Sequence, residues 1–472
     1  VSPLRVPRAL LPLRHRAFRL LAAGQLASNV GDAFYAVALP WYVLATHGGA
    51  LLLGTVLAAY GVPRTVLLAV GGHAADRWKP WNVMMAADSV RALAVGGLAV
   101  VAALGPARAD LLVPVAVVLG AGEGLFLPGS SAIVPALVPD EDLQAGNALS
   151  AGGTELAMLV GPALGGAVVA LVGPAPAFGV DALTFCVSAG TLLAVRATRR
   201  LQPGALVEAP PEVAGPAPEP TSHAPGSASA APGAEPGQAA PPMTLRRVLR
   251  TERVLQVILL VTLAANLGSG GLGEVALPAL AHGPFHTGAT GYGGLIAALG
   301  AGAVAGTLLA AQLRRSRRPA LVASFAFLAQ GACIAAVPFL GGPLPAVAPI
   351  VLFGVLNGFG NVLTITAFQR WAPSELLGRL TGLVMFASMG VFPVSVLFGA
   401  AVVRTLGPAA FFPMAAGIVA VAVLAGLTQR SWRTFGAPED GDQPASASSS
   451  SAPAPSPASA TTSASPGSAA GT

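Results

Sequence analysis

The chain has 472 residues, of which 54% are hydrophobic and only 10% charged, with a mean hydropathy of +0.70. Soluble domains carry about a quarter charged residues, so this composition excludes a soluble enzyme and also a soluble enzyme on a single anchor. The formal net charge of +6 comes from arginines placed for topology, as shown below, and gives no support to nucleic-acid binding.

Runs of roughly 18 or more apolar residues mark membrane-spanning helices. Twelve such runs follow one another. The first six are Phe18–Leu44, Leu51–Ala74, Val83–Leu104, Leu111–Leu137, Asn147–Val172 and Ala175–Val195. The second six are Val254–Leu280, Gly291–Leu313, Ala320–Leu340, Val347–Trp371, Leu377–Val403 and Ala409–Leu427. None alternates polar and apolar residues as the strands of an outer-membrane barrel would, so an all-α membrane protein is expected. The first run is too long for a signal peptide and lacks a small-residue cleavage site. It is expected to remain as the first span.

The organisation expected from composition is an N-terminal six-helix half (1–200), a cytoplasmic linker (201–245), a C-terminal six-helix half (246–430) and a tail (431–472). Linker and tail are rich in Pro, Ala, Gly and Ser and cannot bury enough apolar surface to order themselves. A spacer role is the simple reading, and a docking or regulatory role is the alternative.

Charge placement sets the expected orientation. Of 26 basic residues, 22 fall on the amino terminus and on the connections that share its side, whereas only Arg108 and Arg404 fall opposite. Positive charge stays in the cytoplasm, so both termini are expected there, in the cytoplasmic membrane. Cys186 and Cys333 lie within the sixth and ninth runs and are expected to be small apolar packing residues without a disulfide.

The six-and-six division prompts a search for a repeat. Pro139, Glu141, Leu143 and Leu149, after the fourth run, recur 234 positions later as Pro373, Glu375, Leu377 and Leu383, after the tenth. A duplicated architecture follows, of the kind in which transporters place their substrate site near the membrane midplane between the halves.

Between the second and third runs lies Gly71-Gly72-His73-Ala74-Ala75-Asp76-Arg77-Trp78-Lys79, expected to be a loop that gathers charge where everything nearby is aliphatic. Together with Gly24 to Asp32, Arg64, Asp88-Ser89-Val90-Arg91-Ala92, Asn147-Ala148-Leu149 and Gly161-Pro162-Ala163-Leu164-Gly165-Gly166, it resembles the major facilitator superfamily, specifically the drug-efflux branch with macrolide and enterobactin exporters. The resemblance spans Arg14 to Arg430 without the linker. It implies two six-helix bundles around a central cavity and a cytoplasmic gate formed by Gly72, Asp76 and Arg77. It further implies that Asp76 closes against the start of helix 11, near Leu377. Where the family continues with basic residues, this chain has Trp78, Lys79, Pro80 and Trp81, so aromatic packing is expected to replace ionic contacts. A purely topological role for Arg77 and Lys79 is the alternative. Gly161, Pro162, Gly165 and Gly166 resemble the family's antiporter motif, with Ala148 and Ala157 at two of its usual glycines. Independently of the resemblance, these residues bare one helix face and remove a backbone donor, which permits close approach and a bend.

Ionisable groups inside a membrane cost about 2.5–3.5 kcal/mol each on insertion scales and line cavities or pair. Asp32, Glu123, Glu155 and Glu274 are the expected proton-coupling acids, with Asp32 and Glu123 foremost and Arg64 as a charge partner. The alternative is a static charge pair between helices. Asn266, Asn357 and Asn361 are expected to add neutral polar contacts to the substrate cavity. Asp88 and Arg91, one turn apart and placed close to the cytoplasm, are expected to pair structurally. Asp181 is expected to cap the sixth helix near the outer face.

Other motifs carry nothing. Gly268 to Gly273 spells G-x-G-x-x-G inside an apolar run rather than between a strand and a helix, so flexibility or a kink is expected there. A phosphate loop needs Gly-Lys-Ser/Thr, and the one lysine is Lys79. His282 and His286 have ligand-like spacing but no third partner near them. No metal, cofactor or enzymatic activity is expected. The expected function is proton-coupled export of a lipophilic drug-like compound or secreted metabolite by a monomer in the lipid bilayer. Uptake of a small nutrient and a non-transporting membrane sensor or scaffold are the alternatives.

Overall fold

Helices form almost wherever the chain is apolar, because within a bilayer every backbone N–H and C=O must find its partner inside the segment. The computed structural model describes residues 8–201, 249–312 and 318–436. The linker beyond Leu201 and the tail beyond Gly436 lie outside the described residues. The first six long helices are α1 (Arg16–Ala45), α2 (Gly49–Trp78), α3 (Pro80–Leu104), α4 (Ala109–Ile133), α5 (Asp140–Val172) and α6 (Pro174–Leu201). The second six are α7 (Arg253–His282), α8 (Gly288–Gln312), α9 (Pro319–Ala336), α10 (Pro343–Trp371), α11 (Ser374–Gly390 and Phe392–Leu406) and α12 (Pro408–Thr428). No strand occurs among the described residues.

Eleven of these segments are long and apolar enough to cross a membrane. The twelfth, α1, falls short on hydropathy because it carries Gln25, Asn29 and Asp32, and it supplies Asp32 to the cavity between the halves. The fold is thus an all-α membrane protein of twelve spans around a central cavity.

The turns carry the repeat further than the sequence comparison did. Pro139 and Pro373 stand at the N-caps of α5 and α11. At the far ends of these helices, Gly173 and Gly407 take φ of 87° and 86° and lead into Pro174 and Pro408. Both glycines sit in the left-handed region that L side chains avoid, and both prolines start a helix where a missing N–H costs nothing. The offset is again 234 residues.

One expected loop proves to be helix. Gly71 to Trp78 form the last two turns of α2, and the chain reverses at Lys79 alone, with φ of 69°. No proline falls between Gly71 and Lys79, whereas Pro80 disfavours helical geometry at the residue preceding it.

Within each half, glycines let backbones touch. A Cβ on Gly120 or Gly124 of α4 would run into the carbonyls of Tyr60 and Arg64 on α2. On α8 and α10, Gly302 and Gly306 face the carbonyls of Val351 and Val355, while Gly354 and Gly358 face those of Leu299 and Ala303. Such small-residue faces are the usual way helices associate where water supplies no driving force.

The halves meet along two related seams. On α5 the Pro162 carbonyl abuts Gly293 of α8, and a Cβ on Gly166 would lie 2.6 Å from the Ala289 carbonyl. On α11, Ala400 abuts Gly54 of α2, and a Cβ on Gly61 would lie 2.7 Å from the Phe392 ring. Gly166 and Ala400 are 234 positions apart, so one seam is the repeat of the other. Trp41 of α1 and His282 of α7 close the same end edge-to-face, their ring centroids 5.1 Å apart. Farther along α2, the Thr65 hydroxyl donates to the Met389 carbonyl at 3.3 Å. These contacts run from the α1–α2 turn toward mid-helix, while Arg77, Trp78 and Lys79 at the opposite end of α2 are exposed.

The glycine faces make a prediction. Leu at Gly302 or Gly358 overpacks the α8–α10 contact, costing about 1–3 kcal/mol, and lowers the melting temperature of purified protein. Leu at Gly97, where a Cβ would meet nothing within 4 Å, leaves it unchanged.

Candidate substrate and proton site

A cavity of about 200 Å³ lies between the halves and is lined by side chains of α1, α2, α3, α4, α6, α7 and α11. Four acids reach it, Asp32, Glu123, Asp181 and Glu274, and two arginines, Arg64 and Arg91. The rest of its wall is chiefly apolar and aromatic, including Tyr35, Tyr60, Phe185 and Phe392.

The helices bring these charges together at their middles. Arg64 lies near the midpoint of α2 and forms an ion pair with Glu123 of α4, its Nη2 3.0 Å from Oε1. The approach is permitted by Gly124, against which the Arg64 backbone packs. The Arg64 guanidinium also sits 5.8 Å from the Tyr60 ring centroid. Arg91 of α3 is 4% exposed, and its Nη2 donates to Asp32 Oδ1 of α1 at 2.7 Å. Its guanidinium stacks on the Phe185 ring of α6 at 4.0 Å, a cation–π contact. Asp88, one turn before it on α3, lies 3.8 Å away and is fully buried. Glu274 enters from the other half, on a π-helical turn at Leu272–Ala276 that interrupts α7. Such turns widen a helix locally and are frequent at functional sites.

Of the residues singled out from sequence, Asp32, Arg64, Glu123 and Glu274 meet at this cavity. Arg64 is paired to Glu123, and Asp32 takes its own arginine from α3. Glu155 stands apart, exposed on α5 and absent from the cavity wall. Asn266 accepts a hydrogen bond from the Ser388 hydroxyl at 3.0 Å, tying α7 to α11. Asn361 donates to Asn357 at 3.1 Å, and Asn357 to Gln330 of α9 at 3.5 Å, so α10's amides bond one another and α9. Gly161 and Gly165 pack against Ala33 and Phe34 of α1, while Pro162 and Gly166 form the α5–α8 seam. Gly72 and Asp76 lie in the last turns of α2, with side chains outside the described residues, and Arg77 is exposed.

Two expectations are corrected. Asp88 and Arg91 do pair, at 3.8 Å, but not near one surface and not alone. Arg91 is at the middle of α3 and its shortest bond crosses to α1. Asp181 does not cap α6, because that helix begins at Pro174 and extends beyond it in both directions. It is 1% exposed and lines the cavity. Its distance from the helix start was the missed signal, since a capping role belongs to the first turn alone. Both cysteines are free as expected, although Cys186 is exposed rather than packed inside.

Arg91 holds three helices through one guanidinium, which sets up a test. Removing one partner of a buried pair costs about 3–5 kcal/mol because the other charge is stranded. Arg91→Ala should therefore lower the melting temperature sharply, and Arg91→Ala combined with Asp32→Asn should recover part of the loss.

Known proteins resemble this chain in sequence and in fold. The chain is 29% identical over 377 residues to the enterobactin exporter EntS of Citrobacter koseri, covering 78% of this chain and 81% of the relative. It is 28% identical over the same shares to EntS of Shigella boydii and of Escherichia coli. Among solved structures, a D-xylose-proton symporter shares the fold with a TM-score of 0.62 at 12% identity, over 89% of this chain and 97% of that one. A bacterial homologue of the iron transporter ferroportin, in an inward-facing state, matches with a TM-score of 0.62 at 16% identity, over 87% and 98%. Residues 21–395 match the family model of the Major Facilitator Superfamily, so this chain belongs to that superfamily and is a multi-pass membrane transporter, not an enzyme.

Proposed function

We propose that this transporter is a proton-coupled exporter of lipophilic, drug-like compounds or secreted metabolites, working by alternating access as a monomer in the cytoplasmic membrane. The observation that carries the reading is the cavity itself. Arg64–Glu123 and Arg91–Asp32 face a single space between the halves, with Glu274 opposite on the second half. A carboxylate that takes up a proton releases its arginine, and the released charge changes which arrangement of the halves is favoured. Proton uptake and reorientation are thereby coupled at one place.

The apolar and aromatic remainder of the wall suits a lipophilic substrate, because desolvating such a molecule costs little and stacking faces are at hand. Export is favoured by the relatives at 28–29% identity, which are named as enterobactin exporters, and by the Gly161 to Gly166 seam. With the arginine-rich connections in the cytoplasm, the closed seams lie at the outer end and the exposed Arg77 end faces inward. The structure is then inward-open, and Asp76 approaches the start of α11 in the opposite state. The linker and tail act as cytoplasmic spacers.

Inverted vesicles with an imposed proton gradient supply the test. A panel of lipophilic fluorescent dyes should include at least one that accumulates in a gradient-dependent manner. Asp32→Asn and Glu123→Gln should each abolish that accumulation, while Glu155→Gln should retain it. Gradient-driven loss of dye from the vesicles would establish uptake instead. Absence of gradient-dependent movement across the panel would overturn the proton-coupled reading.

A further inference from the structure

Two carboxylates lie within reach of the single guanidinium of Arg91, and a third stands in the same cluster. Asp32 of α1 receives its hydrogen bond at 2.7 Å, and Asp88 of α3 lies 3.8 Å away. Asp181 of α6 lies beside them, its Oδ1 2.5 Å from where a Cβ on Gly31 would be, next to Asp32 in the chain. The remaining charged groups at the cavity are Glu123 of α4 and Arg64 of α2, paired with each other, and Glu274 of α7. Tyr35 of α1 and Tyr60 of α2 complete the titratable set. One positive charge cannot hold three neighbouring carboxylates, two of them buried, in ionised form, since like charges in a site of low dielectric disfavour ionisation.

Orphaned atoms point to where the proton sits. Asp88 has no hydrogen-bond partner at either carboxylate oxygen and Asp181 has none at Oδ1, but of these two buried acids only Asp181 lines the cavity. Arg91 has an unused buried donor at Nε. Asp32, by contrast, has 42% of its side chain open. A buried acceptor and a buried donor left unmade in the same cluster are costly, and each is a partner available to the other in a second arrangement.

We infer that Asp181 is a second proton-holding residue of this transporter, storing a proton that Asp32 exchanges with the cavity, with Arg91 passing between the two carboxylates. In the arrangement seen, Arg91 holds the Asp32 carboxylate and Asp181 carries the proton. In the other, the proton has moved from the Asp181 carboxyl oxygen to Asp32, and Arg91 donates to the new Asp181 carboxylate. One proton and one negative charge are shared throughout, so no charge is created in the membrane. Asp32 is the port and Asp181 the store. Arg91 is the positioning residue for both. Asp88, already within reach of Arg91 and away from the cavity, keeps a fixed role.

This inference builds on the proton-coupled reading, but its main test does not depend on transport. Infrared spectra of the full-length protein in bilayers, titrated from mildly acidic to mildly alkaline pH, report protonated carboxyl groups by their C=O stretch. Wild type should retain a band at neutral pH that Asp181→Asn removes. Asp32→Asn should also remove it, because Arg91 then pairs with Asp181 and draws off its proton. Asp181→Glu should restore a shifted band and gradient-driven dye movement, which Asp181→Asn should lose without losing dye binding. A band unchanged in Asp181→Asn, or one removed by Asp88→Asn instead, would overturn the inference. The expected band changes in a protein that moves no dye would uphold it while removing the exporter reading.

Discussion

The constraint on which this molecule depends is the cost of charge in a membrane. Six charged side chains, four acids and two arginines, reach one cavity. At about 3 kcal/mol each, unpaired insertion would cost on the order of 15–20 kcal/mol, more than the ~5–15 kcal/mol by which an ordinary domain is stable. Pairing is therefore obligatory, and it dictates which helices stand together. Arg64 binds α2 to α4 through Glu123, and Arg91 binds α3 to α1 while lying on the Phe185 ring of α6. Acids outnumber arginines in the cavity, so the pairs are incomplete and protons decide how the remainder is neutralised.

The glycine surfaces serve the same end by a different route. Close backbone contact between α2 and α4 brings Arg64 within reach of Glu123, and the like contact of α8 with α10 builds the second half on a similar plan. Between the halves the same chemistry is used more sparingly, at Gly54 and Ala400 and at Gly166 and Gly293. Contacts of small residues close tightly yet hold few side chains in place, which suits seams that must part. The 234-residue repeat explains why two such seams exist and why each has its counterpart.

Much of this was legible in the chain. Helix number follows from backbone hydrogen bonding in lipid, and the prolines at 139 and 373 located the same turn in both halves. Asp32, Arg64, Glu123 and Glu274 stand out because charge is rare among apolar residues. What the sequence could not supply is pairing, since a charge in a span gives no azimuth toward a neighbour. Arg91 looked satisfied by Asp88 one turn away, yet its shortest bond reaches Asp32 on another helix. Asp181 stands too far from the turn at Gly173 to cap α6, and its burial at the cavity is what the sequence could not show. Glu155 is the converse case, a charge in a span that is exposed and lies outside this cavity wall. The stretch at Gly71 to Trp78 read as loop from its charges, but no proline falls within it.

The central claim is that protonation at this cavity sets which end of the transporter is open. Spin labels at Arg77 and Arg379, exposed residues on α2 and α11, report the separation of the halves at that end by pulsed dipolar spectroscopy. The account predicts two distance populations whose ratio changes with pH in wild type and no longer changes when Asp32→Asn and Glu123→Gln are combined. A ratio independent of pH in wild type, or a pH response that survives the double substitution, would contradict it.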